Sequence, residues 1–219
     1  MLRGIFFDLD DTLVDQRSAA AAAVVEWAAG HGVTDELVSV RWNSVSDNHY
    51  ARYQRREITL IEQRRARVRE FLAIEVTDAD ADAIFAGYLA RYKAGWVAFD
   101  DAVPALRRAR AAGLTVAVLT NGDEEQQRQK LTRLGLLDEI DLLISSSVLP
   151  AGKPDPRAFR VALDILGVRA DEVLMVGNSL ENDVFGAVNA GIEAILVDRF
   201  GAHSAAGVPR VSNLDELLF

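Results

Sequence analysis

The sequence contains no cysteine, only three lysines and no long apolar run, and these absences exclude whole classes of protein. Without cysteine the chain forms no disulfide, no thiolate metal site and no cysteine nucleophile. No window approaches the roughly 20 apolar residues of a membrane helix, and no basic segment precedes the first apolar run. The formal charge of −9 argues against general binding to nucleic acid or acidic membranes. We therefore expect a cytoplasmic protein that binds neither.

Short aliphatic runs alternate with amphipathic stretches from residue 100 onward. The aliphatic runs are too short and too continuously apolar for surface helices, so we interpret them as buried parallel strands, at residues 114–119, 141–144, 172–176 and 193–197. Helical periodicity occupies the segments between them, at residues 101–112, 123–134, 155–166 and 180–190. With residues 5–8 as a first strand, the pattern predicts an α/β fold, a Rossmann-like parallel sheet with helices on both faces. Residues 209–212 form either an edge strand or a tail.

Residues 16–98 interrupt this alternation, because they carry almost no strand signal. Their periodicity predicts four helices, at residues 18–29, 36–56, 59–74 and 78–94. We therefore predict a small all-α cap domain over residues 16–98, inserted into an α/β core domain formed by residues 1–15 and 99–219. We expect this insertion to lie over the carboxyl end of the sheet.

Two aspartates, Asp8 and Asp10, follow the first strand with one residue between them. Residues i and i+2 of a strand project to the same side, so both carboxylates can converge beyond the carboxyl edge of the sheet. A divalent cation would explain such a pair, and so would a nucleophile beside an acid or base. Taken alone, the pair is more typical of a polar turn in which Asp11 or Thr12 caps a helix. The other strand ends decide between these interpretations.

Three further polar fragments follow predicted strands, where open α/β sheets bind their ligands. Thr120, Asn121 and Gly122 offer a hydroxyl and backbone N–H groups at a helix start, which suits an anion. Lys153 lies between a glycine and a proline, an unusual place for one of three lysines. Residues 177–183 carry polar oxygens suited to magnesium. Each fragment alone is typical of a turn, but their common position at strand ends favours a functional site.

The ordered set of four fragments resembles the haloacid dehalogenase superfamily, and the resemblance covers the whole chain. Residues 8–12 resemble its first signature, Thr120 its second, Lys153 its third and residues 177–183 its fourth. Four spaced signatures and a helical insertion are far more specific than one short pattern. The resemblance implies a magnesium-dependent phosphatase that hydrolyses a small phosphate monoester through an aspartyl-phosphate intermediate.

The resemblance also implies catalytic roles for the matching residues. Asp8 would attack phosphorus. Asp10 would give a proton to the leaving alcohol and later take one from the water that hydrolyses the intermediate. Thr120 would hydrogen-bond the phosphoryl group, and Lys153 would balance the charge that develops on it. Thr12 would support the first loop.

Further residues of the four signatures would hold the phosphoryl group and the metal. The phosphoryl oxygens would accept backbone N–H groups around Leu9, Asp10, Asn121 and Gly122. Oxygen atoms would form the Mg²⁺ shell, contributed by Asp8, Asp10, Asn178 and Asp183. Asp10 would contribute its backbone carbonyl to the metal, leaving its side chain for proton transfer.

Asn178 departs from the superfamily pattern, because phosphatases usually carry an aspartate directly after the glycine of the fourth signature. An amide oxygen still coordinates magnesium, but the site loses one negative charge, and Asp183 would then matter more. Three interpretations follow: an active enzyme with a looser metal site, a catalytically weakened binding module, or a shift toward the metal-independent dehalogenases. Asp10 argues against the last, since those enzymes have no alcohol leaving group to protonate. A phosphotransferase or mutase of the same superfamily is a further alternative.

The helical insertion is expected to govern which phosphate ester is accepted. Residues 41–69 carry eight arginines against three acidic residues, which would attract phosphorylated metabolites or, more commonly, form a solvated helix face. Rings recur near helical spacing at Trp42, His49, Tyr50 and Tyr53, and this pattern favours packing within the insertion over stacking on a base or sugar. The insertion resembles those of phosphatases acting on nucleoside monophosphates or sugar phosphates.

Overall fold

The computed structural model describes residues 1–204 and 207–219 of the chain. The chain forms two compact units: a core unit of Met1–Asp15 and Ala98–Phe219, and a helical unit of Gln16–Val97. Within the described residues, no helix has both the length and the apolar character needed to cross a membrane.

The helical unit consists of four helices, α1 (Gln16–Ala29), α2 (Val38–Gln54), α3 (Leu60–Leu72) and α4 (Asp78–Ala94). Threonine side chains cap two of them: Thr59 accepts the backbone N–H of Glu62 before α3, and Thr77 accepts that of Asp80 before α4. These bonds satisfy N–H groups that have no partner within the helix, so each threonine marks a helix start.

Aromatic side chains fill the interior of the helical unit. The ring centroid of Trp42 lies 5.0 Å from that of Trp27 on α1 and 4.6 Å from that of Tyr88 on α4. Trp42 and Tyr53 are both buried, whereas Tyr50 is half-buried. Packing within the unit is therefore the observed role of Trp42 and Tyr53.

The arginines of residues 41–69 meet carboxylates that lie partly outside that window. Arg65 donates to Asp78 at 2.6 Å and to Asp82 at 2.6 and 2.8 Å, and Arg69 donates to Asp78 at 2.7 Å. These bonds join α3 to α4. The local excess of positive charge in the sequence is thus partly neutralised within the unit, which favours the solvated-face interpretation.

The core unit is built on one parallel sheet of six strands, in the order β3-β2-β1-β4-β5-β6. The strands are β1 (Gly4–Phe7), β2 (Thr115–Thr120), β3 (Leu142–Ser145), β4 (Val173–Gly177), β5 (Glu193–Val197) and β6 (Arg210–Val211). The predicted α/β fold class is confirmed. The segment near residue 210 is a two-residue edge strand that pairs with β5.

Helices of the core unit follow the strands in the predicted alternation. They are α5 (Ala102–Ala111), α6 (Glu124–Arg133), α7 (Pro156–Leu166) and the short α8 (Gly186–Asn189). The helix predicted over residues 180–190 is wrong in detail, because a wider π-helical segment (Leu180–Phe185) precedes α8. Its first turn begins at Ser179, whose hydroxyl accepts the backbone N–H of Asn182.

Alternating residues of β1 enter two different hydrophobic cores. Ile5 and Phe7 pack with side chains of α5 and α6 on one face, while Phe6 packs with α7 and α8 on the other. Helices therefore cover both faces of the sheet, and β1 lies between β2 and β4 at its centre. The chain runs from β1 through β2 to β3 and then crosses back to β4, so the strand order reverses between β1 and β4 and a crevice opens beyond their carboxyl ends.

Candidate active site

Asp8 follows β1 directly, and its carboxylate is held at both oxygens. Oδ1 accepts a hydrogen bond from Lys153 Nζ at 2.7 Å, and Oδ2 lies 3.3 Å from the Thr12 hydroxyl that donates to it. The chain then turns sharply through Asp11, which has a φ of 62°. This turn brings the Thr12 hydroxyl within hydrogen-bond distance of Asp8, and its supporting role in the first loop stays a prediction.

Lys153 is the centre of the buried charge. Its ammonium group donates to Asp8 Oδ1 at 2.7 Å, to Asp183 Oδ1 at 2.6 Å and to the Leu119 carbonyl at 2.7 Å. A lysine has three donors, and all three are used. The Asn121 side chain fixes the lysine backbone, since its amide donates to the Lys153 carbonyl at 2.7 Å and its oxygen accepts the Lys153 N–H at 2.8 Å.

Burial and charge compete at this cluster. Burial raises the pKa of Asp8 to about 7; Lys153 opposes the rise, and the neighbouring carboxylates of Asp183 and Asp10 add to it. Burial also disfavours the charged form of Lys153, but Asp183 and Asp8 outweigh it and raise the pKa of Lys153 above its ordinary value. The lysine therefore stays charged.

Asp183 lies on the π-helical segment, and both of its oxygens have partners. Oδ1 accepts from Lys153, and Oδ2 accepts the backbone N–H of Ser179 at 2.9 Å. Gly177 leaves room for this carboxylate, because a Cβ atom there would lie 2.6 Å from the Asp183 Cβ. The structure thus shows Asp183 as a charge partner of Lys153, and its role as a magnesium ligand stays a prediction.

Asp10 is held by two residues of α6 that the sequence did not single out. Lys130 Nζ donates to its Oδ1, and the Gln127 amide donates to its Oδ2 at 3.0 Å. The same Gln127 nitrogen donates to the Thr120 hydroxyl at 3.0 Å. One signal was available in the sequence: Gln127 and Lys130 lie three residues apart and flank Leu131 on the buried face of α6.

Gly122 is packed against the Gln127 side chain, a role that the sequence does not predict. A Cβ atom at this position would approach the Gln127 side chain to 2.7 Å. The glycine therefore lets Gln127 pass close to the backbone on its way to Asp10 and Thr120. Its own N–H donates to the Ser146 hydroxyl at 3.1 Å, so that group is already engaged.

The oxygens near Asp8 determine whether a hard cation fits. Among the described residues, no group of three or more His, Cys, Asp or Glu side chains is arranged to hold a metal ion. The Thr12 hydroxyl lies 3.3 Å from Asp8 Oδ2 and 3.2 Å from Asn178 Oδ1, yet it has one hydrogen and can donate to only one of them. The side-chain oxygens of Asp8 and Asn178 therefore lie close to the same hydroxyl, and the oxygen that does not accept its hydrogen can bind a cation instead. This donor set fits Mg²⁺ with one carboxylate and one amide oxygen.

Comparison with known protein families identifies the fold and the class. The model of haloacid dehalogenase-like hydrolases matches residues 2–191, which include all four strand-end fragments. The chain belongs to this family. The prediction of the superfamily and of a hydrolase is confirmed.

Two relatives of this family member are named phosphatases. A phosphoserine phosphatase from Thermus thermophilus is 45% identical over 101 residues, which are 46% of this chain and only 41% of that protein. A glyceraldehyde 3-phosphate phosphatase from Methanothermobacter thermautotrophicus is 29% identical over 206 residues, covering 90% of this chain and 86% of that protein.

Solved structures of the family show the same architecture. The HAD-hydrolase YfnB from Bacillus subtilis, bound to magnesium, has a TM-score of 0.83 at 20% identity, covering 98% of this chain and 96% of its own. At that identity the likeness shows the fold alone. A dehalogenase structure is 26% identical with a TM-score of 0.77, covering 98% of this chain and 95% of its own.

Proposed function

We propose that this family member hydrolyses small phosphate monoesters through an aspartyl-phosphate on Asp8. One observation carries the proposal: Asp8 and a second carboxylate, Asp10, leave β1 on the same loop, and Asp10 shares the Gln127 amide with Thr120. A nucleophile, a proton donor and a hydroxyl suited to phosphate are thereby held at one sheet edge. The names of the related phosphatases support a small phosphorylated metabolite as the substrate.

The reaction has two steps in this proposal. An oxygen of Asp8 attacks phosphorus, the bond from phosphorus to the ester oxygen breaks, and Asp10 gives its proton to the leaving alcohol. Water then attacks the same phosphorus, Asp10 takes a proton from it, and the bond to Asp8 breaks to release inorganic phosphate. Lys153 would favour both steps through its positive charge beside Asp8, and the Thr120 hydroxyl would donate to a phosphoryl oxygen.

The cofactor in this proposal is Mg²⁺. A carboxylate oxygen of Asp8, the backbone carbonyl of Asp10, the amide oxygen of Asn178 and the carboxylate of Asp183 would hold it. When bound, such a cation neutralises charge on Asp8 and on a phosphoryl oxygen, which lowers the repulsion between two anions. The chain's own contribution is to orient Asp8 through Lys153 and Thr12.

The test measures phosphate release from 4-nitrophenyl phosphate and from a panel that contains phosphoserine, phosphoglycolate, glyceraldehyde 3-phosphate, sugar phosphates and nucleoside monophosphates. Each ester is assayed with magnesium and with a chelator. Magnesium-dependent release supports the proposal. No release from any ester would overturn it and favour a binding module, whereas transfer of the phosphoryl group to an added alcohol or sugar would favour a phosphotransferase or mutase.

A dehalogenase is the second candidate, because a dehalogenase structure is 26% identical over nearly the whole chain and Asn178 removes one carboxylate from the expected metal shell. The two activities differ in their leaving groups. Halide release from 2-chloropropionate in the presence of a chelator would favour this candidate over the phosphatase.

The replacement Asn178→Asp is expected to lower the magnesium concentration that gives half-maximal activity by about tenfold, since a second carboxylate strengthens the attraction for the cation. The measurement is a magnesium titration of initial rates. The control is Asn189→Asp, which changes the same type of side chain at an exposed position of α8. An unchanged or higher magnesium requirement would remove Asn178 from the metal shell.

A further inference from the structure

Lys130 is a fully buried lysine whose ammonium group reaches the carboxylate of Asp10 from α6. We propose that Lys130 and Gln127 are positioning residues, which hold the Asp10 side chain in one orientation for proton exchange with the leaving group and with the attacking water. This inference rests on the proposed phosphatase function and extends it to two residues outside the four signatures.

The two residues control both oxygens of the carboxylate. Lys130 donates to Oδ1, and Gln127 donates to Oδ2 at 3.0 Å. A side-chain carboxylate on a turn would otherwise rotate about two torsions, and anchoring both oxygens removes that freedom. The Asp10 side chain keeps 29% of its surface exposed, so it is anchored from below and still accessible from outside.

Gln127 also couples Asp10 to the second strand-end fragment. Its amide nitrogen carries two hydrogens, and it lies 3.0 Å from both Asp10 Oδ2 and Thr120 Oγ1. A shift of α6 would therefore move the proton donor and the phosphate-facing hydroxyl together. This linkage fixes the position of the Asp10 carboxylate relative to the Thr120 hydroxyl.

α6 is a suitable platform because its own position is well determined. Asp123 caps its first turn by accepting the Gln126 N–H at 3.0 Å, and Leu131 is fully buried in the hydrophobic core beside Lys130. Catalytic geometry supported by a packed helix is held more tightly than geometry supported by a loop. Burying the Lys130 ammonium group costs desolvation free energy, which its ion pair with Asp10 offsets.

The test compares two esters whose leaving groups differ in their need for a proton. An alkyl phosphate needs a proton donor because its alkoxide is a poor leaving group, whereas 4-nitrophenolate leaves without one. We expect Lys130→Met to lower kcat for an alkyl phosphate by about 10²-fold and kcat for 4-nitrophenyl phosphate by less than about tenfold, with KM unchanged. Gln127→Leu should lower kcat for both esters, because it also releases the Thr120 hydroxyl, but it should lower kcat for the alkyl phosphate more. This second variant keeps the inference testable if Lys130→Met fails to fold.

A double variant shows whether the lysine acts through Asp10. If it does, Asp10→Asn combined with Lys130→Met should lose no more activity on the alkyl ester than Asp10→Asn alone. The control is Gln129→Leu, an exposed residue of the same helix, which should leave both activities within about twofold. Thermal unfolding of every variant confirms that each is folded.

The outcomes separate this inference from the proposed function. Equal losses on the two esters, no loss on either, or fully additive losses in the double variant would overturn the positioning role while leaving the phosphatase intact. A wild-type protein that hydrolyses neither ester would overturn the phosphatase proposal, and the inference with it.

Discussion

Replacement of Asp8 by asparagine is expected to lower kcat for every phosphate ester by roughly 10⁴-fold to 10⁶-fold, the range that follows removal of a catalytic nucleophile. An amide keeps the shape of the carboxylate and one acceptor for Lys153, but it does not attack phosphorus. The measurement is phosphate release under saturating substrate and magnesium. Acid quenching during turnover of a labelled ester should also trap label on the wild-type protein and none on Asp8→Asn.

The same variant should not unfold, which separates chemistry from structure. Burial raises the pKa of Asp8 to about 7, so the fold gains nothing from burying this particular negative charge. We therefore expect the thermal midpoint of Asp8→Asn to equal or exceed that of the wild type. The control is Asp164→Asn on the exposed side of α7, which should keep full activity. Substantial turnover by Asp8→Asn, or label on that variant, would contradict the assignment of the nucleophile.

Replacement of Lys153 by methionine is expected to reduce both activity and stability. The lysine lies between Asp8 and Asp183, and its removal leaves two buried carboxylates facing one another without a cation. Breaking a buried ion pair in this way costs about 3–5 kcal/mol in the free energy of unfolding. Urea denaturation in the presence of a chelator measures this loss without a contribution from bound magnesium.

Removing a second charge tests the explanation for the loss of stability. The double variant Lys153→Met with Asp183→Asn should be more stable than Lys153→Met alone, because it no longer buries two like charges. The control is Lys93→Met on α4, a partly exposed lysine whose loss should cost less than about 1 kcal/mol. Equal stability of Lys153→Met and the wild type would show that the buried charges are compensated in some other way.

Periodicity and strand-end chemistry predicted most of the architecture. The parallel strands, the helices between them and the position of Asp8, Thr120, Lys153 and Asp183 at one edge follow from short apolar runs and the polar residues after them. The short edge strand at Arg210–Val211 does not follow from the pattern, since two residues are too few for a periodic signal. The π-helical segment does not follow from the pattern either, because six residues are too few to distinguish a π turn from an α turn.

The roles of α6 residues could not be predicted, because they depend on contacts far apart in the sequence. Lys130 meets Asp10 across 120 residues, and a lysine on a helix is most often a solvated surface group. The same limit applies to Asn121, whose side chain fixes the Lys153 backbone across 32 residues instead of offering only its N–H to an anion. Motif spacing identifies the first layer of a site, while its supporting layer depends on tertiary packing.

The central position of β1 has a consequence for the order in which the protein assembles. Ile5 pairs with Val116 on one side and Leu174 on the other, which follow it by 111 and 169 residues. Such distant pairing slows folding, because closing a long loop costs conformational entropy before either contact forms. During synthesis β1, which leads into Asp8, emerges before the other strands of the sheet, yet it gains its second neighbour only after β4 has been synthesised. The catalytic edge is therefore completed late, and chains truncated before β4 would expose β1 along an unpaired side.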